Sequence, residues 1–466
     1  MTEFIKNTLS LCPKCLEIIS AKILVNNSIV YLSKNCTKHG TFESKHIWES
    51  DKFYRKMLEL PAESGNLPNG LVLNLTNECN LSCPFCYSRA NDVVQTRFEI
   101  TQINKLLLNF KGEIVYLSGG EPTTYDNLTE VIRLIKIKGF KVGVFTNGKR
   151  FADRLYVEGI KKAGVDFVIL QFDSLFDGKY EILRGEQLLK AKMQAIENLI
   201  NCKIPVYLFV MLVNGVNINE IGDLVRFALK RREAIKIINF NPVWNIGRVA
   251  GHGEFGSSMI VKAIEQQTGV NEEDLLESTE FAYYFSRILI QMRGKHLNTQ
   301  PRCELRCYVF ADGDQILALG DLIDVKRINF ILKEIFDVNN SNFRLLLGIL
   351  YFVPHMLFIL WKAFLNNDNF RKLIRVSLRN ALINICSDSN SLWISPFISI
   401  IIGNFPTAYS IDFDFVKTCN LYSDFPGANN IFPACARQII VDSLFKDGKL
   451  SGIVPKASDM TAHVHQ

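Results

Sequence analysis

The sequence lacks several features that would place it in a familiar class of protein at once. Its start, Met1–Lys6, contains no apolar run of the kind found in secretory signal peptides, so we expect no export. The formal net charge of +6 over 466 residues is too small to indicate nucleic-acid binding. Internal repeats and low-complexity tracts are absent as well. We therefore expect a cytoplasmic protein that binds no nucleic acid and is large enough for two or three domains.

Cysteine is abundant, and its positions are informative. The 12 cysteines favour metal or redox chemistry in a reducing compartment over disulfide bonds. Cys79, Cys83 and Cys86 form a C-x3-C-x2-C loop directly after the apolar segment 71–76, a predicted buried strand. Thiolates favour iron–sulfur clusters or zinc, but zinc needs a fourth ligand, and this loop has no further Cys or His. A 4Fe–4S cluster on three cysteines leaves one iron open; the alternative is three buried thiols.

A second set of ligand residues lies in residues 1–55. Cys12 and Cys15 are spaced as C-x2-C, and Cys36 and His39 follow as C-x2-H. The apolar stretches between the two pairs, joined by a polar turn, predict a hairpin. We predict a rubredoxin-like or zinc-ribbon module that needs one zinc or iron ion to fold. A closed tetrahedral site has no open position, so its role is structural; the alternative is an unliganded module.

Residues 71–250 alternate apolar segments with helical periodicity, after a linker at 56–70 that contains Pro and Gly. This alternation predicts right-handed β/α units and a parallel sheet. Six units predict an α/β fold, a partial (β/α)6 barrel with functional groups at the carboxyl ends of its strands. The predicted strands are 71–76, 114–118, 141–146, 166–172, 205–213 and 235–241, and the predicted helices lie near 101–110, 126–138, 150–163, 186–201 and 219–232.

Polar residues follow several of the predicted strands, where a purely structural strand needs none. Each of them alone is explained by a capped turn, but a series of them predicts the lining of a site for one polar ligand. Two arginines in the loops, Arg184 and Arg248, are placed to contact a carboxylate. The candidate ligand-binding residues are Thr146, Asn147, Gln171, Asp173, Arg184, Asn214 and Asn239.

Residues 251–466 predict a mainly helical C-terminal region that carries two hairpins. Cys303 and Cys307 precede the first hairpin, and Cys419 and Cys435 flank the second. Together they would supply four thiolates for an auxiliary 4Fe–4S cluster. The alternative is that these cysteines are scattered in the core.

Two uncharged and strongly apolar segments, 345–361 and 389–411, lie between these hairpins. Their internal prolines and polar residues favour buried or interfacial helices, which wrap an apolar tunnel, over membrane-spanning helices. Arg371, Arg375 and Arg379 recur at four-residue steps between the two segments. A basic helix beside apolar helices suits a membrane surface with anionic head groups. The alternative is an ordinary solvated helix face.

The order of these motifs resembles that of the radical S-adenosylmethionine (SAM) superfamily. Within it, the sequence is similar to the archaeal tetraether lipid synthases and the related class D methyltransferases. The resemblance is carried by Phe85 before the last Cys of the loop, by the segment Ser118–Pro122 (SGGEP), by the N-terminal C-x2-C and C-x2-H pairs, and by the Gln171–Asp173 and Leu183–Gly185 segments. It implies that the C-terminal region, residues 251–466, holds an auxiliary cluster and binds lipid.

The resemblance also implies roles for individual residues. Cys79, Cys83 and Cys86 would hold a 4Fe–4S cluster whose open iron binds SAM, with Phe85 beside it. The backbone at Gly119 and Gly120 would approach the methionine part of SAM. Glu121 would lie near the ammonium group of SAM.

The activity implied by the resemblance is radical chemistry on a lipid. One-electron cleavage of SAM would give a 5′-deoxyadenosyl radical, which abstracts hydrogen from an unactivated C–H of an alkyl chain, and two chain ends would be joined. The expected partners are the lipid substrate, a ferredoxin or flavodoxin as electron donor, and the inner face of the cell membrane, to which the protein would be peripheral. The alternatives are a radical SAM methyltransferase, an enzyme that modifies a peptide or cofactor, and a non-catalytic metal-binding protein at the membrane.

Overall fold

The computed structural model describes most of the chain up to residue 337 and shorter parts of the remainder. The described residues are 2–61, 69–92, 97–243, 245–248, 255–292, 302–337, 354–355, 357–375, 397–416, 419, 421–424, 431–434 and 439. Of the predicted features, Cys435, Arg379 and the apolar residues 345–353 and 389–396 lie outside these ranges.

The N-terminal module is a four-stranded antiparallel sheet with the strands in sequence order. The strands are β1 (Glu3–Leu11), β2 (Ile18–Asn26), β3 (Ile29–Cys36) and β4 (Gly40–Ser50). The predicted hairpin joins β2 to β3. Its turn residues, Asn27 and Ser28, have φ values of 48° and 61°, a left-handed conformation that Asn adopts more readily than most residues.

A helix that the sequence did not predict follows the module directly. Helix α1 (Asp51–Glu59) buries Phe53, Tyr54 and Met57 on one face. Its last residues fall within the predicted linker 56–70, so the first part of that segment is helical.

Six parallel strands form the barrel, as predicted. They are β5 (Gly70–Thr76), β6 (Ile114–Gly119), β7 (Lys141–Thr146), β8 (Phe167–Gln171), β9 (Val206–Leu212) and β10 (Ile235–Pro242). Each strand is hydrogen-bonded in parallel to the next one along the chain. Alternation sets the two faces: Leu71, Leu73 and Leu75 of β5 belong to the main apolar core, whereas Val72 and Asn74 face a cavity inside the barrel.

Helices connect consecutive strands on the outside of the barrel. They are α2 (Ile100–Asn109), α3 (Leu128–Ile137), α4 (Arg154–Ala163), α5 (Asp177–Arg184), α6 (Leu189–Asn201) and α7 (Ile221–Lys230). The sequence predicted all of these except α5. That helix has only eight residues, too few for a clear periodicity, and ends at Gly185 in the left-handed conformation.

The C-terminal region extends the barrel sheet at both edges. Strand β13 (Ile398–Gly403) pairs in parallel with β10, and the hairpin β11 (Glu304–Asp312)–β12 (Gln315–Ala318) continues from it. At the other edge, β14 (Leu421–Asp424) pairs in parallel with β5, and β15 (Ile431–Pro433) follows. The described part of this region also contains the helices α8 (Ser257–Thr268), α9 (Glu272–Met292) and α10 (Val325–Asp337). Residues 357–366 and 368–375 and the short segment Phe413–Val416 are helical as well.

Strand β13 corrects the prediction of helices in 389–411. Its sequence, Ile-Ser-Ile-Ile-Ile-Gly, is rich in β-branched residues, which favour strands over helices. All six residues are buried, because the strand lies between β10 and β11. In the structure this short uncharged run is a central strand. The prediction was wrong because apolarity alone does not distinguish a buried strand from a buried helix. In the other apolar segment, the described residues 354–355 and 357–361 are helical, as predicted.

The N-terminal module rests on the chain segment after β13. Thr8 Oγ1 donates to Asp412 Oδ1 at 2.5 Å, and Ser10 Oγ donates to the carbonyl of Ile411 at 2.6 Å. The buried Lys34 ammonium donates to Ser10 Oγ and to the carbonyls of residues 408 and 409. Burial lowers the pKa of Lys34 to about 8. Polar contacts of this kind fix the module against residues 408–412.

Among the helices that the structure describes, none has the length and apolar composition required to cross a membrane.

Candidate active site

The three-cysteine loop and the SGGEP turn face one cavity at the carboxyl ends of the barrel strands. The cavity measures about 310 Å³. It contains most of the residues that the sequence singled out, from five different parts of the chain. The predicted residues that line it are Cys79, Cys83, Phe85, Cys86, Gly119, Gly120, Glu121, Thr146, Asn147, Gln171 and Arg184.

The cysteine loop is held by hydrogen bonds from outside it. The Asn91 side chain accepts from the backbone N–H of Cys79 and donates to the carbonyls of Cys79 and Leu81. Arg248 exchanges two backbone hydrogen bonds with Cys86, at 2.8 and 3.0 Å, and its guanidinium donates to the Cys83 carbonyl. In the structure the carboxylate that pairs with Arg248 is that of Asp92. These contacts hold the backbone of the loop at all three cysteines.

The three thiols of the loop suit a cluster better than a single ion. Cys79, Cys83 and Cys86 line the same cavity, and its described lining contains no further Cys and no His. A single zinc ion would need a fourth ligand of that kind, whereas a cube held by three cysteines leaves its fourth iron open. The loop therefore fits a 4Fe–4S cluster.

Burial controls the protonation of these thiols. It raises the pKa of Cys79 to about 12. Burial also raises the pKa of Cys83, although the guanidinium of Arg184 opposes the shift. Without metal the two thiols are protonated at neutral pH, so cluster assembly must release their protons.

The SGGEP turn presses its backbone against the start of the cysteine loop. Gly120 N donates to the Thr76 carbonyl at 2.7 Å, and Glu121 N donates to the Glu78 carbonyl at 2.8 Å. A Cβ atom on Gly120 would lie 2.2 Å from Glu78 O. Gly119 has φ of +130°, and a Cβ there would lie 2.1 Å from Thr76 O. Only glycine allows this approach, which leaves the backbone of the turn open to the cavity.

Replacing Gly120 by Ala is expected to lower SAM affinity at least about tenfold and to destabilise the fold by about 1–3 kcal/mol, because the new methyl group collides with backbone atoms that cannot rotate away. Equilibrium SAM binding and urea denaturation of the reconstituted protein measure both effects. The matched control is Gly159→Ala in α4, where nothing lies within 4 Å of the new Cβ. It should bind SAM normally and gain about 0.5–1 kcal/mol. Normal SAM binding by the Gly120 variant would contradict this account of the turn.

Glu121 lines the cavity, and its carboxylate is held by hydrogen bonds within the chain. The resemblance implied that its carboxylate lies near the SAM ammonium group. In the structure the side chain is 1% exposed, and its oxygens accept four hydrogen bonds, from the N–H and hydroxyl of Thr123, the hydroxyl of Thr146 and the N–H of Asn147. Burial raises the pKa of Glu121, and these donors oppose the shift. The carboxylate joins the turn to the end of β7, so Glu121 positions the Gly119–Gly120 backbone.

Arg184 and Asp173 form a buried ion pair beneath the cysteine loop. The guanidinium donates to both Asp173 oxygens, at 2.8 and 2.9 Å, and also to the carbonyl of Phe85. With its amide oxygen turned toward the pair, Gln171 accepts from Arg184 as well. Burial lowers the pKa of Arg184, but Asp173 more than offsets this and the net shift is upward. The carboxylate that Arg184 contacts in the structure is therefore Asp173, and contact with a ligand carboxylate stays a prediction.

Three predicted ligand-binding residues do not line the cavity: Asp173, which is buried in its ion pair with Arg184, and Asn214 and Asn239. Asn214 is exposed on the loop after β9, and the buried amide of that loop is Asn217, which donates to the carbonyls of Asp173 and Met211. Asn239 lies on β10 and does not line the cavity. A Cβ atom on Gly403 of β13 would lie 3.2 Å from its Oδ1. Asn214 and Asn239 were predicted to line the site for the same reason. Each was chosen because it follows or ends an apolar run, and such a run does not show where a side chain points.

Lys192 is a buried charged residue behind the site that sequence reasoning missed. It is fully buried on α6, and its ammonium group donates to the carbonyl of Asn147 at 2.8 Å and to that of Gln171 at 2.6 Å. It thus joins the ends of β7 and β8 at the back of the site. Burial lowers its pKa to about 8. Its position on the apolar face of α6, with Ala195, Ile196 and Leu199, was the available signal.

The N-terminal ligands come together as predicted. Cys12, Cys15, Cys36 and His39 place all four ligand atoms within 4.8 Å of one another, which fits a single tetrahedral ion. Burial raises the pKa of Cys15 to about 11. Cys12 shifts the other way: burial opposes the change, but hydrogen bonds from nearby backbone groups and thiols outweigh it and lower its pKa. A lowered thiol pKa favours the thiolate that a metal ion requires.

Replacing Cys15 by Ser is expected to remove about one metal ion per chain and to lower the free energy of unfolding, because the ion would join the Cys12–Cys15 pair to Cys36 and His39. Elemental analysis for zinc and iron, together with thermal denaturation, measures both. Lys14→Ala, at an exposed neighbouring position, is the control and should change neither. Loss of the ion without loss of stability would show that the site is not structural.

The auxiliary cysteines are not assembled among the described residues. Cys307 is buried on β11, and its thiol contacts Ser278 Oγ of α9 at 3.7 Å within the main apolar core. Cys419 precedes β14, at the opposite end of the sheet order. Cys303, Cys307 and Cys419 do not form a set of close ligand atoms, and Cys435 lies outside the described residues. The structure thus places Cys307 as a core residue, and the auxiliary cluster stays a prediction.

Comparison with known proteins identifies the N-terminal module and most of the barrel. Residues 73–228 match the radical SAM superfamily, and residues 4–49 match the HMPTM N-terminal zinc ribbon domain. The 7,8-dihydro-6-hydroxymethylpterin dimethyltransferase of Methanocaldococcus jannaschii is 32% identical over 374 residues, which cover 71% of this chain and 73% of the relative. The probable GTP 3′,8-cyclase of Pyrococcus abyssi is 32% identical over 179 residues, 37% of this chain and 57% of the cyclase.

Among solved structures, Streptococcus suis SuiB bound to its precursor peptide SuiA is similar, with 16% identity, a TM-score of 0.36, and coverage of 53% of this chain and 51% of that one. The comparisons confirm the predicted fold and its cofactors: a 4Fe–4S cluster and SAM in the barrel, and a metal ion in the N-terminal zinc ribbon. The tetraether synthase subfamily stays a prediction. The cysteine loop and the barrel match the family, and a relative that is 32% identical covers 71% of the chain. The chain therefore belongs to the radical SAM superfamily.

Proposed function

We propose that the protein uses the radical derived from SAM to remove hydrogen from an unactivated C–H bond and then transfers a methyl group to that carbon. The hydrogen leaves in 5′-deoxyadenosine, and a second SAM donates the methyl group and leaves as S-adenosylhomocysteine. The reduced electron donor supplies the two electrons that these two steps consume. The observation that carries the proposal is the single cavity shared by the cysteine loop, the Gly119–Gly120 turn and the apolar interior of the barrel. Similarity to a dimethyltransferase along 71% of the chain favours methylation over other outcomes.

The residues of the chain hold and shield the reactants. The cluster, when bound at Cys79, Cys83 and Cys86, supplies the electron that cleaves SAM to methionine and a 5′-deoxyadenosyl radical. The open backbone at Gly119 and Gly120 allows close approach of SAM. Apolar side chains around the cavity exclude water from the reacting groups. A ferredoxin or flavodoxin of low potential is the proposed electron donor.

A reduced pterin is the first substrate to test, because the dimethyltransferase relative is named for one. Phe145 and Phe209 line the cavity from adjacent parts of the barrel and present ring surfaces to a flat heterocycle. Asn74 and Ser118 lie on the same cavity and offer polar groups to its edge. These features support a substrate with a planar ring and a few hydrogen-bonding positions.

A second candidate is the joining of lipid alkyl chains, and the composition of the cavity favours it. Val72, Ile169, Met211 and Leu421 line the cavity alongside the aromatic residues, so that most of its surface is apolar. An alkyl chain gains roughly 0.8 kcal/mol for each CH₂ that it buries. This candidate includes peripheral association with the inner face of the cell membrane, where such a substrate resides.

SAM labelled with deuterium in its methyl group separates the two candidates. The reconstituted enzyme is incubated anaerobically with dithionite, labelled SAM and either 7,8-dihydro-6-hydroxymethylpterin or a lipid extract, and the products are analysed by mass spectrometry. Methylation predicts deuterium in the pterin product together with 5′-deoxyadenosine. Joined lipid chains without deuterium would favour the second candidate. Formation of 5′-deoxyadenosine with neither product would overturn both.

A further inference from the structure

A helix in the C-terminal region presents large apolar side chains to solvent. Residues 357–366 are helical, and five of their side chains are between 45% and 61% exposed. Scattered exposed apolar residues are ordinary, but five within ten residues form a continuous surface. The five, which we call the 357–366 face, are Leu357, Phe358, Trp361, Phe364 and Leu365.

This helix has two apolar faces, and the fold uses only one of them. Ile359 is buried in the main core, and Leu360 and Ala363 pack against the cluster around Phe310 and Phe370. At about 100° per residue, the exposed side chains cover an arc of about 120° on the other side of the helix. Lys362 lies between the two faces and is exposed. An amphipathic helix that binds only the protein core has no need of the second apolar arc.

The segment that carries the face is mostly basic, whereas the groove beside Phe358 and Lys362 is also lined by acidic residues of neighbouring elements. These are Glu273, Asp274, Glu277, Asp321 and Asp324, of which Glu273 and Glu277 pair with Lys326. The segment 354–375 contains four Lys or Arg residues and one Asp, which is Asp368. Arg371 pairs with this Asp368 and donates to the carbonyls of Phe364 and Leu365, so it caps the helix and is not the free lipid contact that the sequence suggested. Lys362, on the helix of the face, and Arg375, on the helical stretch that follows residue 367, are exposed basic groups.

A neighbouring helix continues the same surface. The Arg327 guanidinium of α10 lies 5.9 Å from the centre of the Phe358 ring. Phe330, one helical turn further along α10, is 63% exposed. Aromatic rings beside cationic side chains are the composition found where proteins meet the head-group region of a bilayer.

We propose that the 357–366 face docks on a lipid surface that carries anionic head groups. Residues 357–366 rise about 15 Å, half of the roughly 30 Å of a hydrocarbon core, so the helix lies in the plane of the interface. Trp361, Phe358 and Phe364 enter the acyl boundary, and Lys362 and Arg375 meet phosphates. The proposal goes beyond C–H functionalisation and is independent of which substrate is used.

Vesicle co-sedimentation of the full chain tests the proposal. Phosphatidylcholine vesicles with and without 30 mol% phosphatidylglycerol are compared over a salt series. Wild-type protein should bind the anionic vesicles, with binding that weakens as salt rises. The variant Phe358→Ser/Trp361→Ser/Phe364→Ser should lose at least about tenfold in partitioning, since each ring contributes apolar area. Lys362→Gln/Arg375→Gln should bind less at low salt and like wild type at high salt.

The matched control is Ile137→Ser/Leu155→Ser/Ile182→Ser, which removes exposed apolar side chains from helices elsewhere. It should bind vesicles like wild type, and all variants should form 5′-deoxyadenosine normally, which separates failure of docking from failure of the catalytic proposal. Equal vesicle binding by the aromatic variant and wild type would overturn the proposal. So would a wild-type dimer in light scattering that the aromatic variant abolishes, since a second copy would then occupy the face.

Discussion

Replacing Cys83 by Ala is expected to reduce 5′-deoxyadenosine formation from SAM to the level found without enzyme. Two thiols cannot hold a cube with one open iron, so neither electron transfer to SAM nor SAM chelation remains. The measurement is 5′-deoxyadenosine by liquid chromatography after anaerobic reconstitution and reduction with dithionite, with iron and sulfide content determined in parallel.

The control for this variant is Cys202→Ala. Cys202 follows α6 and is partly buried against the main core, away from the cavity. Its replacement should leave the cluster content and SAM cleavage unchanged. If Cys83→Ala retained cleavage at even a tenth of the wild-type rate, the assignment of the cluster to this loop would be wrong.

Replacing Asp173 by Ala is expected to lower the free energy of unfolding by about 3–5 kcal/mol. Both partners of the Asp173–Arg184 pair are nearly inaccessible to solvent, with side-chain exposures of 0% and 7%, so the variant leaves a buried guanidinium without its carboxylate. The Asp173 carboxylate also accepts from the backbone of Met211, and this bond would be lost too. Urea denaturation of the metal-loaded protein measures the change.

A surface pair provides the comparison for Asp173. Arg154 and Glu158 form an ion pair at 3.0 Å on the exposed side of α4. Glu158→Ala should cost at most about 1 kcal/mol, because water and salt screen the exposed pair. Similar losses in the two variants would mean that the Asp173–Arg184 pair contributes no more than a surface contact, which would contradict its proposed role beneath the cysteine loop.

The barrel could be predicted from the sequence because its strands have a local signature. Each of β5–β10 is a short apolar run followed by a helical pattern, and the predicted bounds differ from the observed ones by one residue at most. Strand β13 has the same kind of composition, but it follows β10 in the sheet only after more than 150 residues. Its pairing partner is set by tertiary contacts, and no local pattern reports it.

The candidate site was predictable where residue type and spacing alone fix the chemistry. The loop cysteines and the two glycines of the turn are of this kind, since thiols bind iron and only glycine fits the turn. The hydrogen bonds of the Glu121 carboxylate were not predictable, because their donors, Thr146 and Asn147, are about 25 residues away in sequence and lie beside it only in the folded chain. Lys192 was hidden for the same reason: its two carbonyl acceptors belong to strands that lie before it in the sequence.

The pairing of β14 with β5 has a consequence for how the chain folds. Leu421 pairs with Gly70, so the free edge of the first barrel strand is closed by residues made about 350 positions later. During synthesis β5 would carry unpaired N–H and C=O groups along that edge until nearly the whole chain has left the ribosome. Contacts of such long sequence separation slow folding. We therefore expect the barrel to complete late, and intermediates with an open β5 edge to be the species most prone to aggregate when the protein is overproduced.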